Sequence, residues 1–158
     1  RDEFLKPDLN VKSVSDIDFE KLLKIGKRVF LFDFDNTIGV WKSQVIPENI
    51  LNIFEYLKSN GAQVFIITNG KRRDMHSKTD VRIIWRSLKP LTFKVKKNIG
   101  NHLEDKSKVV VIGDQIFTDI LFGKLLKAYT IKVEPIDTSK EFISTKFLRM
   151  IEKVFNLK

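Results

Sequence analysis

The sequence predicts a three-layer α/β fold on a parallel sheet. Three observations carry that prediction. Short apolar runs alternate with segments of helical period along the chain. The runs are apolar throughout rather than at every second residue, as strands are when both faces of their sheet are covered. The polar residues that break this pattern gather where the runs end, the edge at which open parallel sheets bind ligands.

Taken in order, "SVSDIDFEKLLKIGKR" (13–28) opens with Ser15 as an N-cap and Asp18 three residues on, an Asp version of the capping box. Ile17, Leu22 and Ile25 offer an apolar side, and a short helix is expected to stop at Gly26. "RVFLFDF" follows as the first buried strand. "PENILNIFEYLKSNG" reads as a helix: Pro47 suits the first turn, Gly61 the stop, and Ile50, Ile53, Phe54 and Leu57 form one stripe. "AQVFIITNG" is the second strand and "VRIIW" a shorter third. "LTFKVKKNIGNHL" spaces Leu91, Val95, Ile99 and Leu103 four apart, which is helical despite Gly100. "KVVVIGD" is the fourth strand, "TDILFGKLLK" a helix, and "AYTIKVEP" the fifth strand. "KEFISTKFLRMIEKVFNLK" (140–158) closes the chain as an amphipathic helix. The sheet is expected to be five-stranded and mainly parallel, with right-handed crossovers.

At 158 residues, the chain suits one domain, with residues 1–26 as an N-terminal extension carrying the short helix. A hydrophobic content of 42% with thirteen Phe fills one core and argues against disorder. There is no cysteine, which excludes disulfides, thiolate zinc sites and thiol nucleophiles and fits a reducing, cytoplasmic compartment. No apolar run approaches the roughly 20 residues of a membrane-spanning helix. No secretory signal is visible, although the chain opens on Arg1 rather than Met and "RDEF" need not be its native start. The net charge of +9 suits nucleic acid, phospho-compounds or anionic lipid, and equally a soluble protein that is simply basic.

The first strand poses the chemical question. Asp33 and Asp35 interrupt an apolar run at a spacing of two, which points both the same way in an extended chain. Thr68 and Asn69 end the second strand, Lys89 follows the third, and Asp114 ends the fourth. Carboxylates converging on one edge stay ionised together only around a cation. All-oxygen ligands favour Mg²⁺, with Asp33 and Asp114 as direct ligands and Asp119, in the first turn of the next helix, holding a metal-bound water. Thr68, Asn69 and Lys89 can bind an anion, with a helix N-terminus expected to follow Asn69. Carboxylate, Mg²⁺ and lysine around one anion describe phosphoryl transfer. One aspartate can attack phosphorus and form an aspartyl-phosphate, while its neighbour moves protons.

"DFDNT" (33–37), "ITN" (67–69), "KP" (89–90) and "GDQIFTD" (113–119) resemble, in order, the four motifs of the haloacid dehalogenase-like (HAD) phosphatases. The resemblance covers nearly the whole chain. "KPDLNVKSVSDIDFEKL" and "VVVIGDQIFTDI" resemble the YqeG-like branch, which is itself similar to the mitochondrial phosphatidylglycerophosphate phosphatases. It implies a Rossmann-like α/β/α HAD fold and a Mg²⁺-dependent phosphomonoester phosphatase. Asp33 would be nucleophile and metal ligand. Asp35 would be general acid/base, with its backbone carbonyl on the metal. Thr68 and Lys89 would bind the phosphoryl group, Asp114 would be a metal ligand, and Asp119 would complete the acidic end through water. Gly39 departs from the pattern, since a large apolar residue is more usual there, and is expected to loosen the turn after the strand. Receiver domains also form aspartyl-phosphates, but no acidic residue ends the second or third strand here.

Neither the interval from Asp35 to Thr68 nor the 21 positions from Thr68 to Lys89 can hold a large cap domain, given that a βαβ unit takes about 30 residues. An open site favours a substrate with a large remainder, such as a lipid. Trp41 and "KRR" (71–73) should rim it, Trp41 against an acyl or base group and the triplet against a second phosphate, or else as a packed tryptophan and a solvated helix start. His76 and His102 read as surface or packing residues. The segment 140–158 carries five basic and two acidic residues, enough at most for weak peripheral attachment to the inner face of a membrane. The competing reading is a nucleic-acid-associated or otherwise non-catalytic basic module on the same fold. A metal nuclease using Asp33 and Asp35 would leave Thr68 and Lys89 without a part.

Overall fold

A computed structural model describes residues 3–137 and residue 153. The expected helix over 140–158 lies, apart from that one residue, outside the described residues. The apolar runs form strands β1 (Leu9–Val11), β2 (Val29–Phe32), β3 (Gln63–Ile67), β4 (Arg82–Ile84), β5 (Val109–Gly113) and β6 (Tyr129–Val133). The helices are α1 (Phe19–Lys24), α2 (Glu48–Ser59), α3 (Phe93–Ile99) and α4 (Leu121–Leu125).

The strands lie in the order β1-β6-β5-β2-β3-β4, and every pairing is parallel. From β2 the chain builds outward through β3 and β4. It then returns to β2's other side with β5 and grows through β6. β2 and β5 therefore flank the point where the strand order reverses, with Phe32 opposite Ile112 in register. Ligands in open parallel sheets bind at that point, beyond the carboxyl ends of the strands.

Side-chain alternation along the central strands gives two cores. Phe30, Phe32, Val64, Ile66, Val110 and Ile112 pack under α1 and α2. Leu31, Phe65, Ile67, Val109 and Val111 pack against Val95 and Ile99 of α3 and against Phe122 and Leu126 of α4 and its end. Burying each such side chain stabilises the fold by about 1.5–3 kcal/mol, so the paired cores hold the strand ends rigidly. Among the described residues, no large cap covers those ends.

Four local expectations are corrected. Among the described residues the sheet has six strands, because "LNV" in the N-terminal stretch forms edge strand β1 beside β6. Asp8 anchors it: Oδ2 accepts from the Thr130 backbone N–H at 2.8 Å and lies 3.1 Å from Thr130 Oγ1. The cap of α1 is Asp18, whose side chain accepts from the Lys21 N–H, while Ser15 sits in a preceding 3₁₀ turn, Val14–Asp16. Ile25, expected on the apolar side of α1, is 59% exposed. No helix follows Asn69. Residues 70–81 are an irregular segment clasped onto residues 43–46, with the His76 N–H on Gln44 O at 2.7 Å and the Ile46 N–H on Ser77 Oγ at 2.6 Å.

Candidate active site

The first motif leaves β2 as Asp33-Phe34-Asp35. Phe34 is fully buried, so its two neighbours turn away from the core toward the strand ends. The chain then doubles back: Asn36 takes a left-handed φ of 63°, which Asn tolerates better than most residues, and its N–H bonds Gly39 O at 2.7 Å. Asp35 and Gly39 form a bridge, so the turn is tight where a loose one was expected. The reason is steric. A β-carbon at Gly39 would stand 2.9 Å from the Phe34 ring, which occupies the space a large residue 39 would use.

Asp33, Asp114 and Asp119 converge, with one carboxylate oxygen of each within 4.8 Å of the others. Thr37 Oγ1 lies 3.2 Å from both Asp33 Oδ2 and Asp114 Oδ1, and its single proton serves one of them at a time. Thr37 was quoted within the first motif but assigned no part. Its signal was its place four residues after Asp33.

Asp119 sits in a π-helical turn, Ile116–Ile120, that leads into α4. Its Oδ2 accepts from the backbone N–H groups of Asp114 and Gln115 at 3.2 and 3.1 Å. Gly113 is required beneath it, since a β-carbon there would overlap the Asp119 side chain.

Lys89 is the counter-charge. Its buried ammonium donates to Asp33 Oδ1 at 2.8 Å, Asp119 Oδ1 at 2.6 Å and Ile67 O at 2.6 Å. Burial favours the neutral amine, but the charges of Asp119 and Asp33 outweigh it and hold the pKa above the ordinary lysine value. The Asp119 carboxyl is pushed up to about 6, by burial first and then by the Asp33 charge, against the pull of Lys89. Three carboxylates thus face one ammonium. The excess negative charge and all-oxygen donors are what a hard divalent cation fits.

Asn69 braces Lys89. Its Oδ1 accepts from the Lys89 N–H at 2.7 Å and from Ser87 Oγ at 2.9 Å, and its Nδ2 donates to Lys89 O at 2.9 Å. The side chain is committed to the Lys89 segment, although Asn69 also lines the cavity. Thr68 Oγ1 accepts the Gly70 N–H at 3.0 Å, which leaves its own proton to donate.

These groups line one cavity of about 660 Å³, within the usual range for ligand sites. Asp33, Asp35, Thr68, Asn69, Lys89 and Asp119 all line it, and Asp114 lies buried behind it. The Asp35 carboxylate is not in the three-aspartate cluster. Trp41, Lys71, Arg72 and Arg73 rim the cavity, as expected, but the basic triplet does so from the irregular segment and not from a helix start. His76 is exposed, and the His102 ring packs 5.2 Å from that of Phe65.

Residues 1–136 match the family described as mitochondrial PGP phosphatase. The chain is 31% identical over 154 residues to the "Probable phosphatase YqeG" of Bacillus subtilis, covering 96% of this chain and 89% of that one. It is 26% identical over 162 residues to "Phosphatidylglycerophosphate phosphatase 1, chloroplastic/mitochondrial" of Arabidopsis thaliana, covering 95% of this chain but only 47% of that relative. The chain belongs to the mitochondrial PGP phosphatase family and is a phosphatase.

Proposed function

From that membership, we propose a Mg²⁺-dependent phosphomonoester phosphatase that works through an aspartyl-phosphate on Asp33. The observation that carries the reading is the arrangement around Asp33: Lys89 on Oδ1, Thr37 near Oδ2, and oxygens of Asp114 and Asp119 within 4.8 Å. Asp33, Asp114 and Asp119 would hold the cation, with the Asp35 backbone carbonyl. Mg²⁺ would supply charge neutralisation for the carboxylates and for the phosphoryl oxygens.

Asp33 attacks phosphorus, and the ester P–O bond breaks with its electron pair on the leaving oxygen. Protonated Asp35 gives that oxygen its proton. Thr68 binds a phosphoryl oxygen by its hydroxyl, and Lys89 binds another with the N–H that Asp33 Oδ1 gives up as it attacks. Asp35, now ionised, takes a proton from a water that attacks the same phosphorus. The acyl-phosphate bond breaks, and Asp33 carboxylate, protonated Asp35 and inorganic phosphate are restored.

The substrate we favour is phosphatidylglycerophosphate, giving phosphatidylglycerol. It is supported by the family, by the name of the Arabidopsis relative, and by a site that no large cap covers among the described residues. Trp41 and the basic rim suit a lipid with a second phosphate. No helix among the described residues is long and apolar enough to cross a membrane. A cytoplasmic protein with weak peripheral attachment to a membrane's inner face fits that substrate. We treat residues 1–158 as one catalytic domain, since every residue assigned a role lies between Asp33 and Asp119.

The test is phosphate release from p-nitrophenyl phosphate and from phosphatidylglycerophosphate in mixed micelles, with Mg²⁺ or EDTA, by wild type and Asp33→Asn. Release from the lipid that EDTA and the substitution both abolish is expected. Release from the generic ester alone would keep the chemistry and discard the lipid. Release that survives Asp33→Asn would overturn the mechanism.

A further inference from the structure

We infer that Arg73 is a positioning residue for Asp35: it holds one carboxylate oxygen so that the other is turned into the cavity. The inference rests on the phosphatase reading above, which gives Arg73 no part in the chemistry.

Arg73 belongs to a run of three basic residues, yet it behaves unlike its neighbours. Lys71 and Arg72 are exposed, whereas the Arg73 side chain is only 15% exposed. Its guanidinium carbon lies 4.9 Å from the Phe34 ring centre and 5.1 Å from that of Trp85. Rings at such distances attract a cation and fix its plane. Nε donates to Ser43 O at 2.8 Å, and Nη2 donates to Asp35 Oδ1 at 3.2 Å. An anchor for the irregular segment alone would need the first bond and the rings. The second bond reaches the carboxylate beside the nucleophile.

Asp35 is held asymmetrically. Oδ1 accepts from Arg73 and also from the Lys42 backbone N–H at 2.6 Å. Oδ2 has no hydrogen bond among the described residues. Its surroundings appear from Gly70: a β-carbon there would stand 3.3 Å from Asp35 Oδ2, 3.3 Å from Thr68 Oγ1 and 3.2 Å from Arg73 Nη1. These three atoms therefore ring the bare face of Gly70 at one corner of the cavity. With Oδ1 taken by two donors, Oδ2 is the oxygen left to meet a substrate, and it stands beside the phosphoryl-binding hydroxyl.

Phe34 ties this device to the first motif. Its ring is the floor on which Arg73 rests, and it fits because residue 39 is glycine. The unusual Gly39 and the inward Arg73 are thus two ends of one packing arrangement.

The experiment measures kcat and KM for phenyl phosphate, a poor leaving group, and p-nitrophenyl phosphate, a good one. Wild type, Asp35→Asn, Arg73→Met, Arg73→Lys and the double variant Asp35→Asn/Arg73→Met are compared with Mg²⁺. Proton donation to the leaving oxygen is worth about 10²–10⁴-fold in rate and matters most when the leaving group is poor. Arg73→Met and Arg73→Lys are expected to lose at least about tenfold more kcat/KM, which reports departure of the leaving group, on phenyl phosphate than on p-nitrophenyl phosphate. The double variant is expected to be no slower than Asp35→Asn, since Arg73 acts through Asp35. The ratio of two rates from one preparation does not depend on the folded fraction, so a weakly folding variant still reports. Equal losses of kcat/KM on both esters, or losses that multiply in the double variant, would each overturn the inference while leaving the proposed function standing. A wild type without Asp33-dependent release from either ester would overturn the proposed function, and this inference with it.

Discussion

The Lys89 ammonium lies 2.8 Å from Asp33 Oδ1, joining the end of β2 to a segment that enters the sequence 56 residues later. The same ammonium holds Asp119, so one buried cation sets the spacing of two carboxylates. Removing it leaves charges in a buried site with nothing but an added cation to offset them. Lys89→Met is therefore expected to lower kcat/KM by about 10²–10³-fold, as loss of a preorganised charge partner does. Its melting temperature should fall in EDTA and recover in part with Mg²⁺. A variant with wild-type melting in EDTA would show that Lys89 is not the counter-charge described here.

Asn69 positions Lys89 through three hydrogen bonds to residues 87 and 89. Asn69→Ala strands their buried partners, at a cost of about 1–3 kcal/mol in stability. Denaturant unfolding should read that loss, and kcat should fall while Mg²⁺ affinity holds. Unchanged stability would mean that the Lys89 segment is held by other contacts.

Gly39 and Phe34 are a matched pair of small and large residues. Gly39→Leu should cost about 1–3 kcal/mol through overpacking, because its β-carbon meets the Phe34 ring. Adding Phe34→Leu should return part of that loss, so that the two costs are not additive. Additive costs in a thermal-melt cycle would contradict the pairing.

Metal binding should depend on pH through Asp119. Burial and the Asp33 charge raise this carboxyl to about 6, so without metal it carries a proton below that pH. A cation must displace that proton. Mg²⁺ affinity is expected to be flat above about pH 7 and to weaken as pH falls through 6. Calorimetry in buffers of different ionisation enthalpy should detect proton release at pH 6 and little at pH 8. Equal release at both would place the titrating group elsewhere.

Much of this was legible in sequence, for physical reasons that can be named. The central strands are continuous apolar runs, and the residues at their ends have no packing explanation, so both the sheet and the cavity lining stood out. Strand β1 did not, because "LNV" is three residues long and its pairing rests on Asp8 meeting Thr130, 122 residues away. The absent helix after Asn69 was a misreading of polar sequence: "KRRDMHSKTD" has no apolar stripe to bury, and clasping onto residues 43–46 satisfies its backbone instead. The inward turn of Arg73 was invisible because its cue is spatial: Phe34 and Trp85 flank it only after folding.

The central claim is that Asp33 carries the phosphoryl group. The most direct measurement is borohydride quenching of the enzyme during turnover of p-nitrophenyl phosphate with Mg²⁺, followed by peptide mass analysis. Borohydride reduces an aspartyl-phosphate to homoserine. The account predicts homoserine at position 33 in wild type, absent when substrate is omitted. Continued phosphate release with position 33 unmodified and another residue labelled, or none, would contradict it.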